Sequence, residues 1–152
     1  MTSYPGYEIL QKVHESANTL IQRGVRLSDG KPVMLKSLRD AYFTPERLAR
    51  FKREFEITAS LNPGADSPID GVICALSMED QQNEYYIVME DFGGSSLDLY
   101  EAKGAWNLAD FFKLAFQVID ALGEVHQRQI IHKDINPSNI VYNSMTGQAK
   151  II

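Results

Sequence analysis

Apolar and polar residues alternate in short runs through the first part of the chain, a pattern typical of half-buried strands. We predict five strands from this alternation, at residues 7–13, 19–26, 33–36, 72–78 and 85–90. The cluster Ser28-Asp29-Gly30-Lys31-Pro32 has turn composition and separates the second predicted strand from the third. The pattern therefore favours a small sheet.

Helical spacing of apolar residues replaces this alternation twice. Thr44-Pro45-Glu46 has the composition of a helix start, and Asn62-Pro63-Gly64 that of a helix stop. Between them, apolar positions recur about every three or four residues, at Leu48, Phe51, Phe55, Thr58 and Leu61. A longer helix is predicted from Leu108 to Val125, with one apolar face formed by Leu108, Phe111, Phe112, Ala115, Val118, Ile119, Leu122 and Val125.

The order of these elements predicts an α+β fold in two lobes. The first lobe spans residues 7–92 and holds the sheet and one helix. A linker over residues 93–97 follows, because Gly93-Gly94-Ser95-Ser96 breaks the strand pattern. The second lobe, residues 98–152, contains the long helix and two short strands at 140–142 and 149–152.

Composition narrows the class of protein. The chain has 152 residues, of which 44% are hydrophobic and 23% charged, so we expect one folded domain. Its formal charge is −5 and its cations are scattered, which argues against a nucleic-acid partner. No apolar run approaches the roughly 20 residues of a membrane span. We therefore expect a cytoplasmic protein without a membrane span.

Candidate chemistry lies in the loop His132-Lys133-Asp134-Ile135-Asn136-Pro137-Ser138-Asn139 after the long helix. Asp134 could orient a hydroxyl and accept its proton, and Asn139 could hold a divalent cation on ATP, a pairing that suits phosphoryl transfer. Taken singly, each is as ordinary as any turn residue or cap. Their combination with upstream residues favours a function.

This loop, with Lys36 at the end of the third strand, Glu54 in the first helix and the segment at 86–92, resembles the protein kinase superfamily, of the Ser/Thr protein kinase type. The resemblance covers nearly the whole chain and implies a bilobal kinase-like fold, with a five-stranded antiparallel sheet and one helix in its first lobe. More narrowly, the segments at 33–36, 88–94 and 132–134 resemble the kinase domain of large bacterial hybrid sensors, including those of cyanobacteria.

The resemblance also implies site residues. Lys36 would bind the phosphates of ATP, Glu54 would hold Lys36, Asp134 would be the catalytic base, and Asn139 would ligate Mg²⁺. The residues implied in ATP binding are Val13, Ser16, Thr19, Ile21, Lys36, Met89, Glu90 and Phe92. Met89 takes the gatekeeper place before the segment that contacts adenine.

Two departures from the family pattern bear on activity. The three glycine places of the usual phosphate-binding turn fall on His14, Ser16 and Thr19. The hydroxyls of Ser16 and Thr19 either donate to phosphate or only close the turn. Asn136 stands where many Ser/Thr kinases have a lysine close to the transferred phosphate. By analogy with deleting one transition-state donor, its loss could lower turnover by roughly 10²- to 10³-fold.

The chain ends at Ile152, where a kinase would next show the Asp-Phe-Gly magnesium ligand. We therefore expect these residues to be inactive on their own, and the apolar face of the long helix to be partly uncovered. The sequence is interpreted as a fragment or an interrupted gene product.

Three functions remain open. The first is an ATP-dependent Ser/Thr kinase domain that acts on a protein substrate in signal transduction. The second is a pseudokinase, a nucleotide-binding scaffold attached to sensory or histidine-kinase modules. The third is a small-molecule phosphotransferase of the same fold, which Lys133 disfavours because such enzymes tend to have a small residue there.

Overall fold

The structure, a computed structural model, describes residues 4–39, 44–62, 69–81, 84–101 and 106–152. The chain forms two compact units. The first contains the described residues up to Ala59 together with those of Cys74–Asp91, and the second contains those of Ser60–Ile73 and Phe92–Ile152. Each unit has its own core and is described by itself.

The first unit is built on a five-stranded antiparallel sheet, as predicted. Its strands are β1 (Tyr7–Glu15), β2 (Thr19–Arg26), β3 (Pro32–Leu38), β4 (Ala75–Gln81) and β5 (Glu84–Glu90), in the order β1-β2-β3-β5-β4. The prediction placed the fourth strand too early, at Val72. Val72 instead bridges Ile151, and Ile73 N–H donates to Ile151 O, both inside the second unit. Pairing with β5 therefore begins only at Ala75.

The two faces of this sheet follow from the strand register, since residues directly opposite each other project to the same side. Val33, Leu35 and Ser37 share one face, which we call the closed face; Met34 and Lys36 share the other, which we call the lysine face. Buried side chains cover the closed face: Tyr4, Val33, Leu35, Tyr86 and Val88 form a cluster with Tyr7 and Ile9 packed against it.

Helix α1 (Pro45–Leu61) begins where its sequence signals predicted. Arg47 N–H lies 3.4 Å from Thr44 Oγ1 and 3.0 Å from Thr44 O, so Thr44 caps the helix and Pro45 takes its first position. The helix ends at Leu61, and the predicted stop residues Pro63 and Gly64 lie outside the described part of the chain.

The second unit contains the long helix and a small antiparallel sheet. Its elements are β6 (Ser95–Ser96), α2 (Leu97–Glu101), α3 (Leu108–Gln127), a 3-10 helix (Pro137–Asn139), β7 (Ile140–Asn143) and β8 (Gln148–Ile151). The hairpin β7–β8 was predicted, whereas β6 and α2 occupy the segment predicted as a linker and its continuation. Ser95 and Ser96 pair with Tyr142 and Val141, partners that no local pattern identifies.

Helix α3 begins after Asn107, whose side chain accepts a hydrogen bond of 2.9 Å from Asp110 N–H. Its buried residues are Leu114, Ala121 and Val125. Gly71 approaches so closely that a side chain there would collide with Ala121 Cβ, which fixes the buried side of the helix. Four members of the predicted apolar face, Leu108, Phe111, Phe112 and Ile119, are exposed, so this face is partly uncovered, as expected.

The core of the second unit gathers residues from all of its elements except β6 and the 3-10 helix. Its buried members are Leu61, Ile69, Val72, Leu97, Leu114, Ala121, Val125, Ile140, Ala149 and Ile151. No helix within the described residues is long and apolar enough to cross a membrane.

Candidate active site

Lys36 and Glu54 form an ion pair inside the first unit. Lys36, on β3, donates from Nζ to Glu54 Oε1 on α1. The lysine side chain is 17% exposed and the glutamate side chain 41%, so the pair lies at the edge of the unit with its cation the more shielded member. Glu54 thus restrains one end of a flexible side chain and orients its charge.

The lysine face carries several of the residues implied in ATP binding. Lys36 lies opposite Ile21 of β2 and Ile87 of β5, and Met34 lies opposite Met89. These apolar side chains therefore project to the same side as the ammonium group of Lys36. An apolar surface with one restrained cation is suited to a ligand with a flat base and a phosphate tail.

The turn between β1 and β2 is closed by its own side chains. Ser16 Oγ accepts from the N–H groups of Asn18 (3.3 Å) and Thr19 (3.1 Å), and lies 3.0 Å from Thr19 Oγ1. Ser16 N–H in turn donates to Thr19 O at 2.9 Å. The hydroxyls of Ser16 and Thr19 are therefore engaged within the turn. Val13 lies half-buried in β1, next to an irregularity in the pairing with β2.

Glu90 and Phe92 hold their local chain segments in place. Glu90, paired with Val33, belongs to the closed face, and its carboxylate accepts a 2.8 Å hydrogen bond from Cys74 N–H. In the second unit, Phe92 O accepts from Asn143 Nδ2 at 2.6 Å, and its ring lies 5.4 Å from Lys150 Nζ. Both side chains thus have structural partners, and so do Glu90 N–H, which donates to Cys74 O at 2.9 Å, and Phe92 O.

Asp134 is the centre of a hydrogen-bond cluster in the second unit. Asn136 Nδ2 donates to its Oδ1 at 2.9 Å, and Asn139 Nδ2 donates to its Oδ2 at 2.8 Å. Both asparagine side chains also donate to Asp134 O, at 3.3 and 2.8 Å. The two carboxamides fix the plane of the carboxylate without neutralising its charge.

The backbone around Asp134 is held by its neighbours. Lys133 has φ 65°, a left-handed conformation that few non-glycine residues adopt and that is commonest where surrounding contacts enforce it. His132 Nδ1 lies 3.4 Å from Asp134 N–H, and its Nε2 lies 2.5 Å from Ile152 O. His132 therefore bonds the backbone on both sides.

The family generally uses a magnesium ion with ATP, so the oxygen atoms around Asp134 are candidate ligands. Asn139 points its amide nitrogen at Asp134, so its Oδ1 is the atom that it can offer to a cation. Mg²⁺ prefers one or two carboxylates together with phosphate oxygens and water. Among the described residues, however, no group of three or more Asp, Glu, His or Cys side chains could hold a metal. The described residues do not complete a magnesium site.

Two contributors were missed by sequence reasoning. Asn136 was interpreted only as a missing lysine, whereas it orients Asp134 and caps the 3-10 helix by accepting from Ser138 N–H at 2.9 Å. Asp98 of α2 accepts from Ser138 Oγ at 3.1 Å, and hydrogen bonds from Ser96 and then Ser138 lower its pKa. An Asn followed by Pro is a helix-start signal that could have revealed the first role; the second depends on tertiary contacts.

Comparison with known proteins decides the family. The model of the protein kinase domain matches residues 7–152, which is almost the entire chain. This chain belongs to the protein kinase family. Residues 36, 54, 134 and 139 thus lie inside a kinase domain.

Several kinases resemble this family member along most of its length. It is 31% identical over 149 residues to the serine/threonine-protein kinase PrkC of Bacillus subtilis, covering 95% of this chain and 22% of PrkC. It is 29% identical over 138 residues to the serine/threonine-protein kinase pkn3 of Myxococcus xanthus, covering 89% of this chain and 24% of pkn3. The chain therefore spans about a quarter or less of the length of these two relatives.

Proposed function

We propose that this chain contributes the ATP-binding and catalytic-loop residues of an ATP-dependent serine/threonine protein kinase. The observation that carries the proposal is the Lys36–Glu54 ion pair on the face that Ile21, Met34 and Met89 share. The similarity to bacterial serine/threonine-protein kinases supports the same reaction class.

ATP would be held by the lysine face. The apolar side chains of Ile21, Met34 and Met89 would contact adenine, and Lys36 would bind the phosphates while Glu54 restrains it. Glu90 would contribute its backbone oxygen, since its carboxylate and its N–H are engaged with Cys74. The contact implied for Phe92 stays a prediction. Val13, Ser16 and Thr19 would shape the covering turn. A restrained cation near phosphate is effective because it needs no reorganisation when charge moves during transfer.

Asp134 would act on the hydroxyl of the protein substrate. It accepts the hydroxyl proton as the oxygen forms a bond to the γ-phosphorus of ATP, and the bond from that phosphorus to the β–γ bridging oxygen breaks, releasing ADP. The carboxamides of Asn136 and Asn139 keep the carboxylate in one orientation. Asn139 Oδ1 would be one oxygen ligand of Mg²⁺, which supplies charge neutralisation on the phosphates when bound.

The test is Asp134→Asn in the intact protein, with transfer of labelled phosphate from ATP to protein substrates as the measurement. General-base catalysis contributes about 10²- to 10⁴-fold, so we expect a loss of that size. Asp120→Asn is the matched control, because Asp120 is an exposed acid on α3 and should leave the rate unchanged. An unaltered rate in Asp134→Asn would contradict the proposal.

A pseudokinase is the second candidate, and two observations favour it. The hydroxyl of Ser16 is engaged in closing its turn, and both oxygens of Asp134 accept from carboxamides. Titration of the intact protein with Mg-ATP separates the candidates: binding without transfer to any substrate supports a nucleotide-binding scaffold, and no binding supports an interaction domain. Attached sensory or histidine-kinase modules, and a cytoplasmic location, stay predictions.

A further inference from the structure

The turn between β1 and β2 is joined to the end of β3. Arg39, directly after β3, donates from its backbone N–H to Asn18 O at 3.0 Å and from Nη1 to Ser16 O at 3.2 Å. The same guanidinium lies 2.8 Å from Glu15 Oε1. Two groups of one residue thus make three contacts that hold the turn against the strand that carries Lys36.

The same turn is joined to helix α1. Arg47, in the first turn of α1, donates from Nη2 to Asn18 Oδ1. Along the helix, Glu54 accepts from Lys36 of β3, and Lys52 Nζ lies 5.3 Å from the centre of the Tyr85 ring of β5. Side chains on three successive helical turns therefore attach α1 to the sheet, and the first attachment is made to the turn.

The conformation of this turn explains why it can carry an attachment. No described residue from 13 to 20 has a positive φ, so the turn has no need of glycine. The N–H groups of Ser16, Asn18 and Thr19 are engaged inside it. A turn with its backbone bonded in this way is stiff and presents side chains, here that of Asn18, rather than backbone amides.

We infer that Asn18 and Arg47 are positioning residues: their hydrogen bond anchors the start of α1 to the glycine-free turn and thereby keeps Glu54 on Lys36. The inference rests on the proposed function, because it assigns the turn a role in holding the ATP-binding lysine. When this anchor is removed, α1 samples positions in which Glu54 no longer restrains Lys36. The apparent affinity for ATP falls in proportion to the competent fraction.

The experiment compares four single variants of the intact protein: Asn18→Ala, Arg47→Ala, Asn18→Asp and Arg50→Ala. The first two remove the anchor. Asn18→Asp keeps an acceptor for the Arg47 guanidinium and should behave as the wild type. Arg50 is exposed on the same helix, so Arg50→Ala controls for the loss of a cation from α1.

Two measurements are made on each variant: amide hydrogen exchange over α1 and the dissociation constant for Mg-ATP. For Asn18→Ala and Arg47→Ala we expect faster exchange in the first turn of α1 and roughly 3- to 10-fold weaker binding, if the competent fraction falls by that factor. Unchanged exchange and affinity in both variants would overturn the inference.

A positioning role is separated from a local one by combining Asn18→Ala with Glu54→Gln. If the anchor acts through Glu54, the added substitution causes no further loss of Mg-ATP affinity beyond that of Glu54→Gln. If adding Asn18→Ala to Glu54→Gln weakens Mg-ATP binding as much as Asn18→Ala does alone, Asn18 does not act through Glu54, and the inference is overturned. If the wild type binds no Mg-ATP, the proposed function fails, and amide exchange in the first turn of α1 alone decides whether the anchor holds.

Discussion

The two faces of the five-stranded sheet share the same strands but differ in chemistry. The closed face holds Leu35 and Tyr86, which are 0% and 1% exposed, within a continuous cluster. The lysine face carries Met34, only half-buried, and the Lys36–Glu54 pair, whose carboxylate is 41% exposed. A single strand, β3, contributes alternately to both.

This difference separates stability from candidate function. Burial of apolar side chains on the closed face supplies folding free energy, which scales with the area removed from water. On the lysine face Ile87 and Met89 are also buried, but Met34 and the Lys36–Glu54 pair stay partly accessible, as a binding surface requires. Substitutions one residue apart in β3 should therefore have different consequences, and unfolding experiments can measure the contrast.

Leu35→Ala should have the largest effect on stability. It removes a fully buried side chain from the closed face, which costs about 2–5 kcal/mol in the free energy of unfolding. Met34→Ala, one residue earlier and half-buried, should cost roughly half as much, because less of its surface leaves water. Urea unfolding of the two variants measures both, and equal losses would contradict the assignment of the faces.

Tyr86→Phe should have an intermediate effect. The Tyr86 hydroxyl donates to Glu79 Oε2 at 2.7 Å, while Tyr7 donates to Oε1 of the same carboxylate at 2.6 Å. A hydrogen bond to a charged group contributes about 1.5–3 kcal/mol, and we expect a loss near the lower end because Tyr7 remains. Tyr85→Phe, on the other face of the same strand, should cost less than Tyr86→Phe, because Tyr85 is only half-buried and its hydroxyl bonds Asp80 outside the closed-face cluster.

The same tyrosine should make stability depend on alkaline pH. Burial, and then hydrogen bonding to Glu79, raise the pKa of Tyr86 above the ordinary value of 10.0. Below that pH both states keep the proton, so the contribution is fully present. Above it the unfolded chain releases the proton while the folded chain retains it, and stability falls as pH rises. Unfolding midpoints from pH 8 to 11 should therefore fall less steeply in Tyr86→Phe than in the wild type.

Lys36→Met should have the smallest effect on folding. A partly exposed ion pair contributes at most about 1 kcal/mol, and methionine keeps most of the apolar stem. Binding of Mg-ATP should nevertheless weaken by at least about tenfold, because one charge-assisted hydrogen bond to phosphate is lost. A large loss of stability with unchanged affinity would reverse the roles assigned to the two faces.

Much of the fold could be predicted from local signals. The bounds of β2 match the prediction at both ends, and Thr44-Pro45 marked the start of α1, because alternation and capping act over a few residues. The start of β4 and the existence of β6 could not be predicted in this way. Both depend on partners far along the chain, Ile151 for Val72 and Tyr142 for Ser95.

In the candidate site, too, contacts within one loop could be predicted from the sequence, and contacts between distant residues could not. The cluster around Asp134 forms within one short loop, so its composition was visible in the sequence, although the bond from Asn136 was not foreseen. The use of the Ser16 hydroxyl was left open, since a hydroxyl in a turn can bond either the chain or a ligand. The hydrogen bond between Asn18 and Arg47 was not predicted, because strands β2 and β3 lie between these two residues in the sequence.

The sequence by itself determined the alternation in the strands, the helix starts and the residue types of the Asp134 loop, because each depends on the conformational preferences of neighbouring residues. Only the tertiary structure decided which side of β3 is closed and which carries the Lys36–Glu54 pair. Met34 and Leu35 are both apolar, so their own chemistry cannot distinguish the two faces. Strand register, together with the Tyr4 and Tyr86 side chains packed on one side, determines which face is closed.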